Sequence, residues 1–168
     1  MPYDIKTALW PSTNDHYFNE KSLTPLKQEG PHCVATALAI ATNTAQSIFQ
    51  RSINTQDPIS WSESLRAYGM KLAYCPTDIR KLRFYLPELI AYDDLFALSY
   101  YTSQDPGKLL GDPDHKGWLT GSHIVLLHRN WIFDPAKGEM ISAIKHKCND
   151  CHTKRIFRFV PSDHKRGL

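Results

Sequence analysis

The first strong pattern along the chain is a run of small and apolar residues at helical spacing. It begins at Cys33, directly after the polar segment KQEGPH, and its apolar positions recur every three or four residues. The abundance of alanine favours close packing against other elements. We therefore predict a buried central helix from Cys33 to near Arg51. Its apolar positions are Val34, Ala37, Leu38, Ala41, Ala45, Ile48 and Phe49.

A capping box marks the next predicted helix. Ser60 and Glu63 stand three residues apart, so each side chain can bond the backbone N–H of the other at a helix start. The helix should run through Tyr68 and end at Gly69, because glycine accepts the left-handed conformation of a helix end.

The segment DIRKLRFYL predicts a third helix. Thr77 or Asp78 can accept a backbone hydrogen bond at its start. Pro87 should end this helix, because proline lacks the N–H that a helix interior needs.

Four segments in the middle of the chain are typical of strands. Residues 70–75 form an apolar run that ends at Pro76, and DLFALSYYT is rich in apolar and aromatic residues. SHIVLLHR and NWIFDP are short and adjacent, so we expect them to form a hairpin. Between these pairs, residues 103–121 are rich in turn signals, and we expect a long loop beside the functional site.

The C-terminal part of the sequence predicts a second hairpin. ISAIKHKC and CHTKRIFRFV flank Asn149 and Asp150, which suit a tight turn. Helices come early and strands late, which is the order of an α+β domain. We therefore predict an α+β fold in which the helix that begins at Cys33 packs on an antiparallel sheet.

The size and composition fit a single domain, residues 1–168. The chain has 42% hydrophobic and 22% charged residues and no low-complexity tract, which is typical of a globular protein. The first residues, MPYDIKTALW, lack the basic and apolar regions of a secretory signal, and no apolar run is long enough to span a bilayer. We therefore expect a cytoplasmic protein without a membrane partner.

The net charge of +3 is unevenly distributed. Seven of the 20 Lys and Arg residues, but only two acidic residues, follow position 143, so the predicted C-terminal hairpin and tail, residues 141–168, are basic. Aromatic and basic residues alternate in KRIFRFV, but this is also the pattern of a half-buried strand. The modest overall charge does not favour a nucleic-acid partner, and the tail could instead guide an acidic protein partner.

Cys33 occupies a position that suits a nucleophile. A thiol at the first residue of a helix lies near the positive end of the helix dipole and near unpaired backbone N–H groups, which favour the thiolate. Gln28 lies in the loop before it, and its amide could hold an oxyanion together with the Cys33 backbone N–H. Cys75, at the end of a predicted strand, is expected to be a packed thiol.

His123 is the best candidate for the base. It lies at the start of an apolar strand, and Asp134 follows eleven residues later. If the hairpin turns on residues 128 and 129, His123 lies directly across from Asp134; a four-residue loop, 128–131, leaves the two diagonal on the same face. A carboxylate beside an imidazole fixes its tautomer and stabilises the imidazolium, which in turn stabilises a thiolate.

The order of these residues resembles that of papain-like cysteine peptidases, which have Gln, then Cys at a helix start, then His and Asp or Asn on later strands. The segment SHIVLLHRNWIFDP is most similar to the bacterial papain-like domains that process bacteriocin leader peptides and to their stand-alone relatives. The resemblance covers roughly residues 26–135. It implies a papain-like fold, with Cys33 as nucleophile, His123 as base, Asp134 as orienting acid and Gln28 as oxyanion donor.

Three further residues are candidates to contact a substrate. His32 precedes Cys33 and should line the cleft or cap the helix. His115 and Trp118 lie in the long loop, where they could border a substrate. His128 is expected to be an exposed turn residue.

The segment HKCNDCH contains two further patterns. Cys148, Cys151 and His152 spell a haem-attachment signature, and together with His146 they could bind zinc. All four zinc ligands would come from one hairpin tip, whereas structural zinc sites usually draw on two separated pairs. A plain hairpin tip or an opportunistic disulfide is therefore favoured, and we expect no metal and no cofactor.

These observations favour a cysteine hydrolase that cleaves a peptide or isopeptide bond of a protein or peptide substrate through a thioester. The same residues also serve acyl transfer and glutamine deamidation. Two alternatives come from other classes: a non-catalytic module that binds a protein through the basic C-terminal hairpin, and a metal or redox protein centred on Cys148 and Cys151. The sequence assigns no oligomeric state.

Overall fold

The protein is described by a computed structural model over residues 8–102 and 121–168. The strands are β1 (Met70–Cys75), β2 (Leu95–Tyr101), β3 (Ser122–His128), β4 (Trp131–Asp134), β5 (Glu139–Ser142) and β6 (Thr153–Pro161). The α-helices are α1 (Cys33–Thr42), α2 (Ser47–Gln50), α3 (Pro58–Leu65) and α4 (Leu86–Tyr92). Short 3-10 turns cover Arg66–Tyr68, Leu82–Phe84, Ala143–Lys145 and Lys147–Asp150.

The strands form one sheet in the order β1-β6-β2-β3-β4-β5. Every pair of neighbouring strands is antiparallel. The predicted α+β class, with helices on an antiparallel sheet, is therefore confirmed.

The first helix is shorter than predicted. α1 ends at Thr42 because Asn43 takes the left-handed conformation, with φ of 56°, and the N–H of Thr44 donates to the carbonyl of Ala39 at 3.0 Å. Asparagine tolerates this conformation better than most residues, so it can end a helix as glycine does. The predicted continuation to near Arg51 is instead a separate short helix, α2.

α3 begins before the predicted capping box. Asp57 caps it by accepting a backbone N–H of the first turn at 3.1 Å, and Pro58 fills the first helical position, where an N–H would have no partner. The prediction of Ser60 as the cap is therefore wrong. The predicted end is confirmed, because a 3-10 turn reaches Tyr68 and Gly69 follows with φ of 74°.

The third predicted helix is wrong in position. Residues 82–84 form a single 3-10 turn, and α4 follows with Pro87 in its first turn instead of after its last. Proline fits there because the N–H groups of a first turn have no partner within the helix. α4 ends where Asp93 takes the left-handed conformation, with φ of 52°.

The hairpin of β3 and β4 is confirmed, but the second predicted hairpin is wrong. β5 pairs with β4, residues 143–150 form two 3-10 turns, and β6 lies between β1 and β2. Ile156 and Phe157 are buried in different core clusters, so β6 is apolar on both faces, as a central strand must be. The basic hairpin that a non-catalytic binding module would use is therefore not an element of this fold.

Two layers cover the sheet. α1 packs against β3 and α3 against β1, and their core includes Leu38 and Trp61. The other face is covered by the N-terminal segment and α4, with Trp10 and Leu89 among the buried residues. Over the residues that the structure describes, no helix combines the length and the apolar character needed to cross a bilayer.

Candidate active site

Cys33 is the first residue of α1 and its side chain is partly exposed. The nine residues that follow it in α1 are all buried, and the helix packs against β3. This packing fixes the start of α1 beside the sheet. The backbone N–H of Cys33 belongs to the first turn of the helix, whose N–H groups have no partner within it.

His123 and Asp134 lie on adjacent strands and face the same side of the sheet. His128 pairs with Trp131, so the turn consists of residues 129 and 130. A register that places His123 directly across from Asp134 would need the turn one residue earlier. His123 and Asp134 are consequently diagonal neighbours, in the register expected for the longer loop. Their side chains meet, with His123 Nε2 and Asp134 Oδ1 2.8 Å apart.

Cys33 interacts with His123, and this interaction helps to raise the pKa of His123. Because Nε2 is bonded to Asp134, Nδ1 is the ring nitrogen that is left for Cys33. Burial alone would lower the pKa of His123, but its interactions with Asp134 and Cys33 outweigh burial and raise the pKa to about 9. An imidazolium beside a thiolate is the pair that activates cysteine nucleophiles.

Asp134 is fully buried and accepts hydrogen bonds on both oxygens. Oδ1 accepts from His123 and, at 2.9 Å, from the backbone N–H of Ala136; Oδ2 accepts from His146 at 2.8 Å. Burial alone would raise the pKa of Asp134, but the bonds from His123 and His146 hold this pKa far below its ordinary range. The carboxylate therefore stays ionised beside His123.

His146 has a different role from the zinc ligand that the sequence offers. Its Nδ1 accepts the backbone N–H of Cys148 at 3.0 Å, so the ring proton is on Nε2, which donates to Asp134. Both ring nitrogens are in use, and neither is left for a metal. No spacing in the sequence points to this contact, because His146 reaches Asp134 from the junction of two 3-10 turns.

The other residues of HKCNDCH do not assemble a metal site. Burial raises the pKa of Cys148 to about 12, and Cys151 is a partly exposed free thiol. The two residues are joined by a backbone bond of a 3-10 turn and are not the expected cross-strand neighbours. Among the described residues, no three His, Cys, Asp or Glu side chains are grouped to hold a metal ion.

Tyr100 packs edge-on against both histidines of the site. The centroid of its ring lies 5.8 Å from that of His123 and 6.4 Å from that of His146. Burial, and then the negative charge of Asp134, raise the pKa of Tyr100 far above its ordinary value. Its hydroxyl has no hydrogen-bond partner within the part of the chain that the structure describes, so its contacts with the two histidines are made by the ring. The sequence contains no signal that separates Tyr100 from its apolar neighbours.

Gln28 borders the same cleft as Cys33. Its backbone N–H donates to the carbonyl of Pro135 at 2.8 Å, which ties the loop before α1 to the residue after Asp134. Its side-chain Nε2 donates to the carbonyl of Gly30 at 2.8 Å, which uses one of the two amide N–H groups. The second N–H is the candidate oxyanion donor.

The turn between β4 and β5 presses against the same loop. A Cβ at Gly138 would lie 2.8 Å from the Cβ of Lys27, and Gly138 has φ of 66°. Only glycine combines this backbone conformation with so close an approach. The two segments that carry Gln28 and Asp134 are therefore held in direct contact.

The cleft around Cys33 has a volume of about 490 Å³, within the usual range of ligand sites. His32 lines this cleft together with Cys33 and His123. His115 and Trp118 lie outside the described residues, as does the predicted long loop except for Gly121.

His128 is not the exposed turn residue that the sequence predicts. It ends β3, is buried, and its Nε2 lies 3.0 Å from the carbonyl oxygen of Phe18. The prediction is wrong because the turn begins after His128, not on it. Cys75 is buried, and burial raises its pKa to about 12, so its role as a packed thiol is confirmed.

No protein-family model matches the chain, and no curated protein is similar to it in sequence. The function is therefore inferred from the side chains, distances and charges of the site.

Proposed function

We propose that the chain is a papain-like cysteine hydrolase that cleaves a peptide or isopeptide bond. The observation that carries this proposal is one chain of interactions: Cys33 at a helix start interacts with His123, whose Nε2 is bonded to the buried Asp134. A nucleophile, a base and a group that orients the base are the requirements of covalent catalysis at a thiol.

In the first half of the reaction, the sulfur of Cys33 attacks the carbonyl carbon of the substrate. The carbonyl oxygen gains negative charge, which the backbone N–H of Cys33 and the amide of Gln28 can stabilise. The proton on His123 Nδ1 then passes to the leaving amine, the C–N bond breaks, and a thioester remains on Cys33.

In the second half, water attacks the thioester. His123 Nδ1 takes a proton from this water, the C–S bond breaks, and the carboxylic acid leaves. Asp134 bonds His123 Nε2 in both halves, and because its pKa is held low it stays a carboxylate throughout.

Alkylation of the folded protein tests the thiolate and imidazolium pair without a known substrate. Iodoacetamide treatment between about pH 5 and about pH 9, followed by peptide mapping, reports the rate at each cysteine. Cys33 should react fastest at low pH, and His123→Ala should remove this advantage. Cys151, the other partly exposed thiol, is the internal control. Equal rates at Cys33 and Cys151 across this range would contradict the pair.

Hydrolysis itself is tested with a library of protein and peptide substrates. Cys33→Ala and His123→Ala should each abolish turnover while the circular dichroism spectrum is unchanged. Comparable hydrolysis by Cys33→Ala would falsify the mechanism.

A further inference from the structure

Positively charged side chains line part of the cleft that contains Cys33. Lys147, Lys154 and Arg155 all border it, together with Cys33 and His123. Among the described residues, no Asp or Glu borders this cleft. Its wall therefore offers a concentrated positive potential to any molecule that enters.

Lys154 lies close to the reacting groups. Its Nζ donates to Ser122 Oγ at 3.4 Å, and Ser122 directly precedes His123. Burial, and then the positive charge of Arg155, lower the pKa of Lys154, whereas the negative charge of Cys33 raises it. The ammonium is thus partly desolvated beside a like charge, and an anion bound here would offset both costs.

The three cations also differ from the arginines that serve the fold. Arg129 and Arg158 pair with Asp93 and Asp94. Lys147, Lys154 and Arg155, in contrast, form no ion pair with a carboxylate of residues 8–102 or 121–168. Cations that share a cleft wall repel each other, and a bound anion relieves that repulsion.

We propose that the cleft selects peptides that carry an acidic side chain next to the scissile bond, and that Lys154 and Arg155 bind its carboxylate. The inference rests on the proposed function, because it takes the substrate to be a peptide with its carbonyl carbon at Cys33. Lys147 is exposed at the border of the cleft and adds longer-range attraction. Hydrogen bonds from Lys and Arg to a carboxylate are charge-assisted, so they distinguish Glu from Gln and Asp from Asn.

Paired peptide electrophiles measure this selectivity at Cys33. One member of each pair carries Glu or Asp beside the reactive group, and the other carries the isosteric Gln or Asn. The acidic member should label Cys33 about tenfold faster, as expected for one charge-assisted hydrogen bond, and the advantage should fall with added salt. Equal rates for the two members would overturn the inference and leave the hydrolase intact.

Variants assign the selectivity to residues. Lys154→Met and Arg155→Gln should each weaken the preference, and the double variant should lose it. Arg51→Gln is the matched control, because Arg51 is exposed and does not border the cleft, so this variant should keep the preference. A preference that persists in the double variant would contradict the assignment.

Binding to Cys33→Ala separates the two proposals. Fluorescence anisotropy with labelled Glu and Gln peptides reports the subsite without chemistry. Suppose that no peptide electrophile labels Cys33, but that Cys33→Ala binds the Glu peptide about tenfold more tightly than the Gln peptide. The proposal of a hydrolase then fails, and the acidic subsite stands. If labelling of Cys33 proceeds and neither readout distinguishes the peptides, the subsite fails and the hydrolase stands.

Discussion

Two buried aspartates lie near opposite ends of β2, and each is the centre of a hydrogen-bond network. Asp94 directly precedes the strand, whereas Asp134 is bonded to the two histidines that pack against Tyr100 near its other end. Both carboxylates have lost their contact with water, and both accept at least three hydrogen bonds. They differ in the chemistry of the side chains that donate those bonds.

Asp94 has a partner with a permanent charge. It accepts from Arg158 at 2.6 Å and from the backbone N–H groups of Tyr17 and Phe18 at 2.9 and 2.8 Å. The buried guanidinium of Arg158 lies 4.8 to 5.7 Å from the centroids of the aromatic rings of Trp10, Tyr17, Tyr92 and Phe96. This buried ion pair, through the hydrogen bonds of Tyr17 and Phe18 to Asp94, holds the N-terminal segment against the sheet.

Asp134 has histidines as its side-chain partners. Histidine exchanges its proton near neutral pH, whereas arginine does not lose its proton in proteins. One of these partners, His123, also borders the cleft. Burial of a carboxylate by itself therefore does not indicate function. A titratable partner that reaches a cleft is a better indicator of function.

Removal of the permanent partner should have the largest effect. Arg158→Ala leaves Asp94 buried and unpaired, so we expect the free energy of unfolding to fall by about 3–5 kcal/mol in urea denaturation. Arg83→Ala is the control, because it removes the partner of Asp150 in an exposed pair and should cost at most about 1 kcal/mol. Similar losses of unfolding free energy in the two variants would mean that the burial of Arg158 among aromatic rings adds nothing to the stability that its ion pair provides.

The Asp134 network should respond in reactivity more than in stability. Asp134→Asn offers one acceptor oxygen to three donors, and it removes the negative charge beside His123. We expect Cys33 alkylation at about pH 6 to slow about a hundredfold, with a smaller loss of stability than in Arg158→Ala. Unchanged alkylation would make Asp134 a structural carboxylate like Asp94.

The pH dependence of stability should also report on the Asp134 network. The pKa of His123 is raised from 6.5 to about 9 in the folded protein, so its stabilisation is complete below about pH 6.5 and is lost as the pH rises through about 9. We expect the free energy of unfolding to fall by about 2 kcal/mol between about pH 7 and about pH 9. His123→Ala should remove this slope. A slope that survives in His123→Ala would have another origin.

The smallest effect is expected at His146, which we regard as a positioning residue for Asp134. In His146→Ala the carboxylate loses a donor and can rotate away from His123, so Cys33 alkylation at about pH 6 should slow about tenfold. The step in the pH profile of alkylation that follows the pKa of His123 should move below about pH 9. His146→Gln can keep a donor toward Asp134 and should restore most of the rate. Loss of stability in His146→Ala without any change in the pH profile would contradict the positioning role.

Local pattern was sufficient for much of the fold and insufficient for its long-range pairing. β1 to β4 could be predicted because each is a short apolar run between turn signals, and the two-residue turn before Trp131 joins strands that are adjacent in sequence. β6 could be recognised as a strand, but its place between β1 and β2 depends on partners far away in the chain. The helix ends at Asn43 and Pro58 were misplaced because a cap depends on the backbone conformation of one residue.

The same limit applies to the candidate site. His123 and Asp134 could be grouped from the sequence because a hairpin register is a local feature, and Cys33 was added from its place at a helix start and from the order of the three residues along the chain. His146 and Tyr100 could not, because one arrives through a 3-10 turn and the other through a neighbouring strand. Their roles follow from contacts that no spacing encodes.

The position of β6 has a consequence for synthesis on the ribosome. Among the described strands, β1 has one neighbour in the sheet, β6, and the four strands β2 to β5 leave the exit tunnel before that neighbour appears. Pairings between distant segments form slowly, and an unpaired strand of a nascent chain is open to non-native association. Lys154 and Arg155 arrive on β6 itself, long after Cys33. The growing polypeptide therefore carries its thiol without this part of the cleft wall until β6 has left the ribosome.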